Sequence, residues 1–135
     1  MKRLLIATLL VSATAAAEEY RTGMVEKIID ARIAALEEES MQLDSAIVIL
    51  DSSSLSVQEQ YELFGLGAFH AAEQRLATFG LTFKQLYFLE EKYREEIALW
   101  LGRNEEQAAK LASLENRVEL LQMEFDRIAA STASE

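Results

Sequence analysis

The fold of this chain is decided by residues 82–128, which read TFKQLYFLEEKYREEIALWLGRNEEQAAKLASLENRVELLQMEFDRI. Apolar residues recur there in one seven-residue register, with Phe83 at position a and Leu86 at position d. The later apolar members are Ile97, Trp100, Leu111, Leu114, Val118, Leu121, Phe125 and Ile128, and the polar interruptions are Glu90, Asn104 and Gln107. This register predicts one continuous helix, roughly 70 Å long at 1.5 Å per residue.

The first 17 residues have the pattern of a secretory signal peptide. Lys2 and Arg3 precede an apolar stretch from Leu4 to Val11, and a run of small residues ends at Ala17. The apolar stretch is shorter than the roughly 20 residues that a membrane-spanning helix needs. We expect cleavage between Ala17 and Glu18, a periplasmic or secreted protein, and no membrane span after cleavage.

The remaining 118 residues are strongly acidic, because 11 Lys and Arg residues stand against 23 Asp and Glu residues, a net charge of −12. Such a charge repels nucleic acid and anionic membrane surfaces, so we expect neither as a partner. The chain has no cysteine, and its core must therefore come from apolar packing without disulfides. With no proline and only five glycines, the composition favours an all-α protein.

Two shorter helices are predicted before the long one. Helix one runs from Met24 to Leu50, with apolar residues at steps of three and four on one face. A polar connection over residues 51–55 ends it, because serine and aspartate side chains compete with the helix for backbone hydrogen bonds. Helix two begins near Val57, and it extends to about Phe79.

Capping signals mark the start of helix two and the turn after it. Ser56 and Glu59 have the spacing of a capping box, and Thr82 and Gln85 repeat that spacing at the start of the long helix. Gly80 can adopt the left-handed conformation that ends a helix. Helix two and the long helix therefore form an antiparallel hairpin, which leaves residues 105–130 extending beyond helix two.

These elements predict an all-α fold, a three-helix bundle whose long third helix continues as a coiled-coil extension. The alternative is a long antiparallel helical hairpin, in which helix one runs antiparallel to residues 105–130. Residues 18–130 would form the single domain, and residues 131–135 a disordered tail.

The C-terminal half of the apolar register is the predicted interface. We name it the seam, and its residues are Leu111, Leu114, Val118, Leu121, Phe125 and Ile128. In the bundle topology helix two ends before it reaches the seam, and a lone solvated helix does not expose six consecutive apolar a and d residues. We therefore expect self-association, with a homodimer as its simplest form, or binding of another protein.

The chain offers little for catalysis or for a cofactor. His70 is the only histidine, and there is no cysteine, so a metal site would lack its usual ligands and a structural histidine is the simpler interpretation. Residues 52–54 are serines without a recognisable base, and capping explains them. We expect a protein that is not an enzyme, with no catalytic residue, no metal and no cofactor.

Glu90 is the one charged residue at an a position of the long helix. Burial of a carboxylate there is costly unless a cation pairs with it. Arg94, four residues later, and Arg75 and His70 on helix two are the predicted partners. Such a pair would specify the helix register.

Residues 81–85, Leu-Thr-Phe-Lys-Gln, match the Leu-Thr-x-x-Gln motif of the Spy and CpxP family of periplasmic helical chaperones and stress regulators. The chain also resembles that family in its leader, size and helical content. It departs from the family in carrying one such motif where two are typical, and in its acidic surface. The resemblance implies a periplasmic chaperone or an envelope-stress sensor.

Two functions therefore follow as expectations. The first is an exported, non-enzymatic helical protein that acts as a structural or adaptor component through coiled-coil protein–protein interaction in the bacterial envelope. The alternative is the chaperone or stress sensor that the Spy and CpxP resemblance implies. An adaptor should hold one fixed partner, whereas a chaperone should expose an apolar surface to many.

Overall fold

The computed structural model describes residues 2–50, 56–62 and 66–133, with side-chain surroundings for residues 21–50, 56, 58–62 and 66–131. The helices in these residues are α1 (Lys2–Leu50), α2 (Val57–Gln60), α3 (Leu66–Ala77), α4 (Phe83–Lys92), α5 (Arg94–Arg103) and α6 (Glu105–Ala133). The described residues contain no strand, and the all-α prediction is confirmed. None of the helices in this part of the chain has an apolar stretch long enough to cross a membrane.

Helices α1 and α3 pack against each other in opposite directions. Near the end of α3, Ala72 and Leu76 share a buried cluster with Ile28, Ala31 and Ala35 of α1. Near the start of α3, Ala68 shares a second cluster with Leu43, Ala46 and Leu50. Rising residue numbers in α3 therefore meet falling numbers in α1, and the small alanines allow a close approach of the two helices.

Helix α6 packs along the other side of α1 and runs in the same direction. Lys110 contacts Glu37 at 3.1 Å. Further along, the Arg117 Nε donates to the Ser40 hydroxyl at 2.8 Å. Phe125 of α6 joins the cluster that contains Leu43, Ala46 and Leu50. The long antiparallel hairpin is therefore wrong in its direction, since α1 and α6 are parallel, and α1 lies between α3 and α6.

The predicted continuous helix is interrupted at two residues. At Tyr93 the distortion is small, because its amide still donates to the Leu89 carbonyl at 2.9 Å. At Asn104 the backbone leaves the helical region, with φ −126° and ψ 71°. The Asn104 side-chain amide donates to the Trp100 carbonyl at 2.8 Å, which a helical backbone amide at residue 104 would otherwise do. The Asn104 backbone amide donates to the Leu101 carbonyl. Asparagine therefore suits a break that the apolar register alone does not predict.

We expect Asn104→Ala to lower the free energy of unfolding by about 0.5–1.5 kcal/mol, because the Trp100 carbonyl loses its side-chain donor. Asn104→Asp keeps the shape and also loses the donor, so it should destabilise at least as much. Urea denaturation of both variants measures this. An Asn104→Asp protein with the same free energy of unfolding as the unchanged chain would show that the side-chain amide does not stabilise the break.

The turn before α4 follows the sequence prediction. Gly80 has φ +73°. The Thr82 hydroxyl accepts from the Gln85 amide at 3.2 Å, and the Gln85 side chain accepts from the Thr82 amide at 2.9 Å. Ser56 likewise accepts from the Glu59 amide at 3.3 Å at the start of α2. These local bonds fix where α4 begins, independently of distant contacts.

Two predicted features differ in extent or fall outside the description. Helix α6 continues to Ala133, so residues 131–133 are helical where a disordered tail was expected. The polar connection at residues 51–55 and residues 63–65 of predicted helix two lie outside the described residues.

A candidate protein-binding groove

The seam packs on the chain's own first helix. Phe125 is fully buried and Ile128 nearly so, while Leu111, Leu114, Val118 and Leu121 are half-buried. Their neighbours include Leu43, Ala46 and Leu50 at the far end of α1 and Val25, Ile29 and Ile33 nearer its start. The expectation that helix two ends before it reaches the seam is wrong at Phe125, which contacts the Tyr61 ring, and α1 covers much of the rest.

Glu90 pairs with Arg32 of α1, a residue that the sequence analysis did not consider. The Arg32 Nε donates to Glu90 Oε2 at 2.9 Å, and its Nη2 contacts Oε1. The predicted partners were wrong, since Arg75 is exposed and Arg94 lies 3.8 Å from Glu91 at the surface. The signal for Arg32 was available, because Arg32 lies three residues after Ile29 and four before Leu36 on the apolar side of helix one.

Arg32 also anchors α4 through an aromatic contact. Its guanidinium carbon lies 5.1 Å from the centroid of the Tyr87 ring, a cation–π distance. Burial acts to lower the pKa of Arg32, but the hydrogen bond and charge of Glu90, with a smaller contribution from Tyr87, raise it overall. The guanidinium is therefore held charged where α1 and α4 cross.

His70 lies on the surface rather than in the core. Its Nδ1 is 3.3 Å from Glu73 Oε1, one turn along the same helix. In the described part of the chain, no three or more His, Asp or Glu side chains are grouped to hold a metal ion.

Two adjoining hollows form a groove along α6. The first lies between α6 and α2 with the start of α3, and the second lies between α6 and α1, which forms its floor. The first is lined by Gln58, Tyr61, Glu62, Leu66 and Gln122. The second is lined by Leu36, Glu39, Glu115, Val118, Glu119, Gln122 and Met123. Gln122 lines both, so they form one continuous surface, which we call the groove.

The groove exposes large apolar side chains at both ends. Leu66 is 58% exposed and Met123 is 61% exposed. Tyr61 is positioned between them by an edge-on contact with Phe125 at 5.5 Å and by a hydrogen bond from its hydroxyl to Asp126 at 3.2 Å. The groove therefore has a wall that is ordered by the core, and its apolar surface is open to solvent.

Charge is segregated on the two sides of α6. The groove carries Glu39, Glu62, Glu115 and Glu119, and none of its described lining residues is Lys, Arg or His. The cations of α6 point the other way, where Lys110 and Arg117 pair with Glu37 and Asp44 of α1. Because those pairs neutralise one edge of α6, the acidic potential is concentrated along the groove.

Glu39 is the most deeply placed of these carboxylates. Burial raises the pKa of Glu39, and the positive charge of Arg32 only partly opposes this effect. Because the folded-state pKa is above the unfolded value, ionised Glu39 destabilises the fold at neutral pH. This cost fades as the pH falls through the raised pKa and is absent well below the ordinary value of 4.5.

We expect Glu39→Gln to raise the melting temperature near neutral pH and to have no such effect in acid, where Glu39 is already protonated. Glu26→Gln removes the same charge from an exposed position of α1 and is the matched control. The difference between the two variants, followed by circular dichroism against pH, isolates burial from overall charge repulsion. Equal shifts at every pH would contradict the prediction.

A second exposed surface lies where α3 meets α4. The Phe69 and Phe83 rings stack with centroids 4.9 Å apart, and Phe83 lies 6.1 Å from Tyr87. Phe69, Tyr87 and the nearby Phe88 are exposed. We call these four residues the aromatic patch. The rings of Phe69, Phe83 and Tyr87 are ordered by each other, Tyr87 also contacts Arg32, and much of the patch faces solvent.

No protein-family model, no curated protein and no solved structure matches this chain. The resemblance of residues 81–85 to the Spy and CpxP motif is therefore not extended by these comparisons. In the structure those residues form the end of the turn and the capping box in which α4 begins.

Proposed function

We propose that this chain is an exported, non-enzymatic helical protein that acts as a structural or adaptor component in the bacterial envelope by binding another protein. The observation that carries this proposal is the groove, an open surface with an apolar floor and ordered walls. The seam supports the proposal indirectly. Its burial on α1 holds α6 in place as one wall of the groove.

The apolar side chains of the groove favour a binding role. Large contiguous apolar patches on a soluble protein mark interaction sites. Leu66, Tyr61 and Met123 are exposed, and they line the groove together with the half-buried Val118 and the buried Leu36. Binding would remove these groups from water at about 25 cal/mol per Å² of apolar area.

Site-specific cross-linking tests the proposal, since the chain has no cysteine of its own. Gln122→Cys places a thiol in the groove. Leu120→Cys, two residues earlier, lies on nearly the opposite side of α6 and is the matched control. After cross-linking in the periplasm, we expect one defined protein to be joined through residue 122 and not through residue 120. The same products from both positions, or none from either, would refute the groove as the binding surface.

Export is part of the proposal and has its own test. Ala15 and Ala17 supply the small residues that signal peptidase requires, so the mature chain should begin at Glu18. The intact mass of the protein recovered from the periplasm decides this. A mass that retains residues 1–17 would argue against export by this route.

A second copy of the chain is one partner that the proposal admits. The half-buried residues of the seam and the groove beside it offer apolar area for a homodimer. Light scattering over a range of protein concentrations tests for it. A mass that stays monomeric throughout would restrict the partner to another protein.

The aromatic patch favours a periplasmic chaperone or envelope-stress sensor as the second candidate. Exposed Phe69, Tyr87 and Phe88 could hold apolar segments of unfolded proteins. A chaperone should suppress the aggregation of several unrelated proteins, and Phe88→Ser with Tyr87→Ser should abolish that effect. Suppression that survives these changes, or that is limited to one protein, would favour the adaptor.

A further inference from the structure

We infer that the groove takes an amphipathic helix with Lys or Arg residues flanking its apolar face, supplied by a partner protein. This inference rests on the proposed function and specifies the chemistry of the partner. Its observation is the combination of an apolar floor, helical walls and a rim that carries only negative charge.

The walls of the groove favour a helical occupant. They are formed by α6 along the whole length, by α2 and the start of α3 beside the first hollow, and by α1 beside the second, and the described residues offer no sheet edge to which an extended peptide could bond. From Glu115 to Met123 the wall is about 12 Å long, and the hollow beside Tyr61 lengthens it further. Two or more turns of a helix could insert apolar residues at i, i+3 and i+4 there.

The rim indicates the charge of the occupant. Within the described residues, neither Glu115 nor Glu119 of α6 has an ion pair. Glu37 and Asp44 of α1, by contrast, pair with Lys110 and Arg117 of α6. Glu39 is half-buried at the floor, where only the charge of Arg32 offsets its burial. A cationic side chain that enters the groove would compensate Glu39 and pair with the rim, whereas an acidic one would be repelled from it.

The same charges argue against a second copy as the occupant. Each mature chain carries −12, and two grooves brought together would oppose Glu115 and Glu119 to their own equivalents. Close like charges are costly at an interface. The occupant is therefore a different protein with a basic helical segment.

The test uses the mature chain and three synthetic peptides of about 18 residues, long enough to form several helical turns. One has a leucine face flanked by lysines. The second replaces every lysine with glutamate, and the third has the composition of the first in an order that removes the apolar face. Binding is measured by fluorescence anisotropy at low and at physiological salt.

We expect the lysine peptide to bind and the other two to bind much more weakly. Glu115→Gln with Glu119→Gln should weaken the lysine peptide about five- to tenfold at low salt, and salt should narrow the difference. Glu105→Gln with Glu106→Gln removes equal charge from the same helix outside the groove and should change binding less than about twofold. Melting temperatures of the variants show that each remains folded.

The inference is overturned if the glutamate peptide binds as well as the lysine peptide, or if the two double variants bind alike. It also fails if the third peptide binds as well as the first, because charge alone would then suffice. Leu66→Ser removes apolar area from the groove without changing its charge and should weaken the lysine peptide, so unchanged binding would also overturn the inference. Cross-linking through residue 122 without lysine-peptide binding would leave the proposed function standing and refute this inference alone.

Discussion

Phe125→Ala is expected to lower the free energy of unfolding by about 3–5 kcal/mol, independently of protein concentration. Phe125 is 0% exposed and packs with Leu43, Ala46 and Leu50 of α1 and with the Tyr61 ring. Removing the ring leaves a cavity at the junction of three helices, which the surrounding helices can only partly fill. Chemical denaturation at several protein concentrations measures the loss.

The effect of protein concentration on the free energy of unfolding distinguishes burial of the seam by α1 of the same chain from burial by a second copy. If α1 within the same chain buries Phe125, unfolding is unimolecular and dilution changes nothing. Leu120→Ala is the matched control, because Leu120 lies on the same helix and is exposed. It should change stability by less than about 0.5 kcal/mol. A Phe125→Ala loss that appears only at high concentration would mean that a second copy covers the seam.

Breaking the Arg32–Glu90 pair is expected to cost about 1–3 kcal/mol from either side. Glu90→Leu leaves the guanidinium alone, and Arg32→Met leaves the carboxylate alone. The Arg32 side chain is 15% exposed and the Glu90 side chain 29%, so Glu90→Leu leaves the more deeply buried charge and should cost at least as much.

The double variant Arg32→Met/Glu90→Leu should recover much of the loss, because it leaves no charge without its partner. A thermodynamic cycle of the two single variants and the double variant gives the coupling between them. Arg94→Met serves as the control and should leave the melting temperature unchanged, since Arg94 is a surface residue. Additive losses in the cycle would show that Arg32 and Glu90 stabilise the fold independently of each other.

If the groove holds a basic helix, the Arg32–Glu90 pair lies close enough to affect binding. Arg32 is the cation that acts on Glu39 at the floor of the groove, and it is engaged by Glu90 on the other side. The same guanidinium thus contacts α4 and partly offsets the burial of the Glu39 carboxylate. For variants of Arg32, lysine-peptide binding should therefore be measured together with the free energy of unfolding. Variants of Phe125 change the stability of the core, and the free energy of unfolding is sufficient for them.

Local chemistry is the part of this protein that its sequence determined. The absence of proline and the three- and four-residue apolar steps specify helices, whatever those helices later contact. Gly80, Thr82 and Gln85 fix the turn before α4 through bonds among neighbours. The register also placed Phe125 and Ile128 on an apolar face that must be buried, because that face follows from periodicity alone, although the sequence assigned it to an interface with another chain.

Only the tertiary structure decided what covers each apolar face. Periodicity shows that the seam must be buried. It does not show whether α1, a second copy or another protein buries it. Arg32 and Glu90 are 58 residues apart, so no local pattern pairs them. The parallel course of α6 along α1 likewise depends on which helices meet. The groove depends on the same packing, because its lining residues come from α1, α2, the start of α3 and α6. Burial results from the packing of these helices against one another, and no single helix determines it.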